Sequence, residues 1–173
     1  MLTRRQLFKT GLVGGMAVLA AGWLAAPAAD PAPSAVSSSG LRFLTPLDAV
    51  IVRALAPVLL GQPDVPRDEV VRGVDQAVAG LPPAVQREVR LLFDLLANRW
   101  ARRYLLGVAV PWSQAGAAEL SAFLRSWQIS RLQWQRTGYQ ALHALIAAAW
   151  FGNPASWPAL GYTRPAYVLE RLP

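Results

Sequence analysis

The 173-residue chain has no cysteine and a single histidine, His143. These absences exclude disulfide frameworks, thiol catalysis, cysteine-ligated iron–sulfur clusters and nearly every histidine-rich metal site. Charge is scarce, at 16% of residues, and Lys9 is the only lysine. Arginine therefore supplies the rest of the basic charge. Because the arginines are spread along the chain, they reflect composition and not a nucleic-acid footprint. The formal charge of +7 comes from 17 basic and 10 acidic residues, and three of the basic ones fall in the first nine positions. Removing a leader of that kind leaves 14 against 10, or +4. No segment alternates with period two long enough to make a strand, and no glycine-rich phosphate loop follows one. What the chain does have is apolar bulk, 54% hydrophobic with seven tryptophans, enough for one folded domain and unlike a disordered or low-complexity sequence.

The first residues read as an address. Thr3-Arg4-Arg5-Gln6-Leu7-Phe8-Lys9 sets two adjacent arginines before apolar residues and a lysine, and an uncharged stretch from Thr10 to Ala29 follows, ending in small residues that suit a signal peptidase. The segment 1–29 resembles a bacterial twin-arginine (Tat) translocation leader, with Arg4, Arg5, Phe8 and Lys9 as the targeting residues and Leu7-Phe8 in the reverse of the commoner order. The resemblance implies passage through the Tat translocon to the periplasm. A single membrane anchor is the alternative, since about 20 apolar residues span a bilayer, and an exported leader that is never cleaved combines the two. Residues 30–43, rich in proline, serine and alanine, read as a flexible linker, with folding expected to begin near Leu41.

Residues 44–173 read as one all-α domain, an irregular bundle of five helices with an extended arm over 151–173. Thr45-Pro46-Leu47-Asp48 opens the first helix with a capping threonine, an initial proline and an early acid; it runs to Leu60, where Gly61 stops it, and Pro57 is expected to end or kink the last turn. Asp68 to Ala79 is the second. Pro82-Pro83 open the third, in which Val85, Val89, Leu92, Phe93, Leu96 and Trp100 recur at spacings of three and four. Ser113 is the expected cap of a fourth helix reaching Arg125. A fifth, from Ile129 to Trp150, projects Leu132, Tyr139, Leu142, Ile146 and Trp150 to one side before Gly152-Asn153-Pro154 ends it. The arm packs four aromatics, three prolines and two glycines into residues 150–165, so it is not a long helix. Its rings suit either the bundle's own core or a partner's surface.

Groups able to do chemistry stand apart from one another. His143 has no acid or nucleophile at helical spacing and reads as structural or surface. Asp68 and Glu69 complement the dipole of a helix start. Asp75, placed on the polar side of the second helix, is a lone carboxylate with no partner for general-base work. Arg99, Arg102 and Arg103 cluster after the third helix, where a solvated helix end is expected and an acidic partner or phospholipid is the alternative. The twin-arginine route carries folded proteins, usually for the sake of a cofactor, and this chain has no evident means of holding one. It therefore reads as an escort for a leaderless, cofactor-loaded partner.

The order of features over residues 45–165 resembles the gluconate 2-dehydrogenase subunit 3 family, small subunits of flavin-dependent sugar and alcohol dehydrogenases. Leu44-Thr45-Pro46, Val74-Asp75, Leu81-Pro82-Pro83, Phe123-Leu124-Arg125-Ser126-Trp127 and Ser130-Arg131 carry it. Its most specific part is Trp150-Phe151-Gly152-Asn153-Pro154 with Trp157, Gly161-Tyr162 and Pro165, although Arg164 stands where the family often has glycine. The resemblance implies a noncatalytic subunit with no cofactor of its own, paired with a large FAD-containing subunit of the glucose-methanol-choline type, often with a cytochrome c subunit as electron acceptor. It implies a role in export and stability of that partner, with Trp150, Phe151, Trp157, Gly161, Tyr162 and Pro165 as the contact arm. A free-standing or membrane-tethered helical scaffold is the other class that stays open.

Overall fold

A computed structural model describes residues 40–158 and Gly161. Among these residues there are five α-helices and no strand: α1 (Pro46–Leu60), α2 (Arg67–Ala79), α3 (Pro83–Ala97), α4 (Ala117–Gln128) and α5 (Gln133–Phe151). A π-helical turn, Ala101–Leu105, follows α3, and a 3-10 turn, Pro154–Ser156, follows α5. The expected all-α architecture is thus what the chain adopts.

The expected start of α1 forms as a capping box. The Thr45 hydroxyl accepts from the Asp48 amide at 3.2 Å and the Asp48 carboxylate accepts from the Thr45 amide at 2.7 Å. Pro57 does not end the helix, which continues to Leu60. Gly61 closes it in the left-handed conformation (φ 65°), and the Pro57 carbonyl takes both the Gly61 and the Gln62 amides. A proline three residues before the end removes one donor of an inner turn while leaving its own carbonyl free to close the helix.

The core is a contiguous apolar cluster in which Ile51, Leu55, Val74, Leu96, Leu142 and Ile146 are all nearly inaccessible. Burying each such side chain contributes about 1.5–3 kcal/mol before the entropy of ordering it. The most extensive helix pairing is α2 against α5, and its closest approach is at Gly73, where a Cβ would lie 2.9 Å from Ala149 Cβ. Only hydrogen at position 73, facing a methyl group, permits that spacing. A second close approach puts Gly138 against the Trp127 ring, 2.5 Å from where a Cβ would be. Trp127 belongs to a row of rings meeting edge to face: Trp112 to Phe123 (5.8 Å), Phe123 to Trp127 (5.0 Å) and Trp127 to Trp134 (5.5 Å). Each such contact adds about 0.5–1.5 kcal/mol beyond burial.

Several boundaries differ from expectation, each for a local reason. The third helix stops at Ala97 because the Asn98 side chain accepts from the Trp100 and Ala101 amides at 2.9 and 3.2 Å, starting a new turn in place of the old one. Trp100, expected on the buried stripe, consequently faces solvent. Ser113 caps nothing. Pro111 makes a turn whose carbonyl takes the Gln114 and Ala115 amides, and α4 starts after Gly116. Ile129 and Leu132 lie before α5, because Ser130 holds the Leu132 amide through its hydroxyl and bonds the Gln135 side chain. Both side chains are exposed, against the expectation that Leu132 joins the buried side. The packed part begins near Leu41, inside the 30–43 segment read as linker. Leu41 and Phe43 pack on the core, and the backbone of residues 42–44 is tied to α2.

Candidate functional site

The contact arm begins on a firm base. At the end of α5, Trp150 is buried in the chain's own core, so its expected place on a contact surface is corrected: the apolar stripe of α5 turns it inward with Leu142 and Ile146. Phe151, one residue on, points the other way and is 51% exposed. Asn153 caps the 3-10 turn by accepting from the Ala155 amide at 3.0 Å, and its amide group donates to Glu69 of α2 at 3.4 Å. The buried Ser156 hydroxyl shares its proton between the Trp150 and Asn153 carbonyls, at 2.6 and 2.7 Å. The half-buried Trp157 donates its indole N–H to the Phe151 carbonyl at 2.9 Å. Gly161, in the left-handed conformation (φ 68°), closes a further turn onto the Pro158 carbonyl. Phe151, Trp157 and Gly161 are thus brought together at one end of α5. Tyr162 and Pro165 lie outside the described residues, as do Arg4, Arg5, Phe8 and Lys9.

The two buried carboxylates are fully engaged in holding the entry of the chain. Asp75, expected on a polar face, is 3% exposed. Its Oδ2 accepts from the Arg42 amide (2.8 Å), and its Oδ1 from the Phe43 (2.9 Å) and Leu44 (2.8 Å) amides. Burial pushes the Asp75 carboxyl up, but the amides of Leu44, Arg42 and Phe43, together with the Arg42 charge, outweigh it and hold the group below its ordinary value. Asp48, 0% exposed, receives Arg90 in a two-pronged pair at 2.7 and 2.9 Å. The Arg90 guanidinium also bonds Asp94 at 2.9 Å and lies over the Phe43 and Phe93 rings. Burial lowers the Arg90 pKa, yet the bonds and charges of Asp48 and Asp94 outweigh it, so the group is held above its ordinary value.

His143 is on the exposed side of α5, stacked 6.0 Å from Tyr139. Among the described residues no three His, Cys, Asp or Glu side chains gather as a metal site would need. The same residues contain no helix long and apolar enough to cross a membrane.

The described residues also line open concavities. One, of about 350 Å³, runs along α1 between Val50, Ala54 and Pro57 on one side and Trp112 and, from α4, Leu120 on the other. Another, of about 400 Å³, is at the π turn, lined by Arg99, Trp100, Arg102, Arg103, Tyr104 and Ala109. Of the three clustered arginines, Arg102 departs from the expected solvated helix end. It is buried and donates to the Val108 and Val110 carbonyls, pinning the loop after the turn.

No family model, curated protein or solved structure matches the chain. Sequence reasoning missed Asp48–Arg90, because the partners are 42 positions apart and no local spacing links them. It also missed the use of Asp75, although a lone acid on a valine-rich helix is the kind of residue that needs a backbone donor to be buried.

Proposed function

We propose that this chain is the noncatalytic small subunit of a periplasmic, FAD-dependent sugar or alcohol dehydrogenase, exported by the twin-arginine pathway together with a leaderless catalytic subunit that it stabilises. The observation that carries the proposal is the end of α5. There the aromatic, Asn-Pro, Trp and Gly order that resembles the subunit 3 family folds into a hydrogen-bonded base presenting Phe151 and Trp157. A preorganised aromatic surface loses little entropy on docking and is the usual make-up of an interface hot spot. The engagement of Asp48 and Asp75 in backbone and arginine bonds agrees with a structural role, since neither presents a free carboxylate for proton transfer. FAD, and a cytochrome c acceptor where there is one, belong to the partner subunits in this proposal.

Coexpression with the catalytic subunit tests it. The chain purified from the periplasm should bring down a stoichiometric protein with flavin absorbance. Replacing Arg4 and Arg5 by lysine should leave both proteins in the cytoplasm, because lysine mimics a guanidinium pair poorly. A flavoprotein that still reaches the periplasm in that variant removes the escort role, and a flavin bound stoichiometrically to the lone chain removes the noncatalytic one.

A further inference from the structure

Between Asp94 and Glu119 the chain carries three arginines and no acid. Asp94 is taken by Arg90, and Glu119 accepts the Ala109 amide at 2.7 Å. Arg99 and Arg103 are exposed and, among the described residues, form no ion pair. Beside them three large side chains stand out in solvent, Trp100 just before the π turn and Tyr104 and Leu105 within it, at 48%, 72% and 39% exposure. The two rings lie flat on each other, 5.6 Å apart and within 10° of parallel, and the Arg99 guanidinium sits 5.3 Å from the Trp100 ring. The stack is held from below. Asn98 fixes the amides of residues 100 and 101, and buried Arg102 fixes the loop behind.

We infer that this turn is an interfacial membrane site that binds the surface of an anionic phospholipid bilayer. Arg99 and Arg103 pair with headgroup phosphates in the groove of about 400 Å³, while Trp100, Tyr104 and Leu105 enter the boundary between headgroups and acyl chains. The chemistry favours a lipid surface over a protein. Tryptophan and tyrosine beside arginine is the composition of membrane interfaces, where a ring has one apolar and one wet end. The exposed apolar area of the turn is on the order of 300 Å², given aromatic side chains of about 150–250 Å² each. A stable protein interface needs about 800 Å² per partner, whereas side chains entering a bilayer act one by one. The charge is all of one sign, which suits a field of phosphates. This site does not depend on the flavoprotein partner and stands or falls separately from it.

Because the chain has no cysteine, a nitroxide can be placed at one position of the full chain. Leu105→Cys and Ala109→Cys report on the turn, and Gln140→Cys, exposed on α5, is the control. On vesicles of 70:30 phosphatidylethanolamine to phosphatidylglycerol, the labels at 105 and 109 should become accessible to oxygen and shielded from a water-soluble nickel chelate, while the label at 140 stays in water. Pure phosphatidylcholine vesicles should not shield them. R99Q/R103Q in the L105C background should raise the lipid concentration for half-immersion on the order of 25-fold, about fivefold per arginine, while R125Q/R131Q, which removes the same charge elsewhere, should change it little. Local depth is read at each label, so attachment through the leader does not mimic the result. The inference is overturned if labels 105 and 109 stay in water on anionic vesicles that sediment the chain, if neutral vesicles immerse them equally, or if both arginine pairs shift binding alike. It is also overturned if the turn is shielded only when the large subunit is added, which would give it to a protein partner.

Discussion

Around Trp127 the rings meet edge to face in a buried row, whereas Trp100 and Tyr104 lie flat on one another at the surface. Both tryptophans sit at helical spacing from core residues: Trp127 four after Phe123, and Trp100 four after Leu96. The difference lies in the backbone between. Residues 123–127 stay in one unbroken helix, so the spacing delivers the ring to the core. Between 96 and 100 the chain breaks at Asn98, whose backbone turns extended (ψ 120°). The stripe ends there, and the next turn carries its rings outward. A helical period thus predicts burial only as far as the hydrogen-bond ladder that creates it.

The comparison breaks most decisively at the buried row. Trp127→Ala should cost about 3–5 kcal/mol, the usual loss for a buried tryptophan, measured by denaturant unfolding. Among the described residues the Trp127 indole N–H has no hydrogen-bond partner, so Trp127→Phe should lose less than about 1.5 kcal/mol. Equal losses from the two variants would mean the indole is held by something other than packing. Arg90→Met should cost a similar 3–5 kcal/mol at neutral pH, since it leaves Asp48 buried and unpaired.

Gly138→Ala drives a methyl group into the Trp127 ring and should cost about 1–3 kcal/mol through overpacking. Asp75 adds a pH signature. Its folded pKa lies below the ordinary 3.8, so its stabilisation is complete above that value and is lost as pH falls through the folded one. Glu88 runs the opposite way. Burial raises its pKa above 4.5, so protonation near there relieves a penalty on the folded state. The stability gap between the wild type and Asp75→Asn should therefore be constant at neutral pH and narrow below about 3.8. A gap that widens on acidification would contradict the assignment.

Smaller effects sharpen the surface side of the comparison. Phe151→Ala should leave the melting curve of the free chain within about 0.5 kcal/mol but weaken binding to the large subunit roughly tenfold or more, about 1.4 kcal/mol per decade. Trp157→Ala with Tyr162→Ala should reach about a hundredfold. Trp100→Ala with Tyr104→Ala should change stability only by the stacking of an exposed pair, about 1 kcal/mol. A loss as large as that of Trp127→Ala would show that the outer stack is structural.

Much of this fold was legible. The Thr45-Pro46-Asp48 start, the stripe of α3 through Leu96 and the Gly152-Asn153-Pro154 stop all appear where the residues announce them, because each depends on neighbours within one turn. Two of the misplaced helix boundaries share one cause, a polar side chain diverted to a backbone amide. Asn98 and Ser130 each offer the main chain an alternative to the helix that their apolar neighbours advertise. For the candidate site, Phe151 and Trp157 were legible as aromatics beside turn residues. Trp150 shares the apolar stripe of Leu142 and Ile146, so its inward turn was legible as well; how closely that stripe docks on α2 is set by Gly73 and Ala149, from distant parts of the chain, and was not.

The grip of Asp75 on residues 42–44 also fixes how the molecule carries load. Any pull on the chain upstream of Gly40 does not reach the first turn of α1 directly. It arrives first at three amides held by one carboxylate, and from there enters α2, the helix wedged most closely against α5. Tension is thus met by these three bonds in turn and passed into the most extensive pairing of the bundle, so the capping box at Thr45 and Asp48 stays unloaded until that clasp opens.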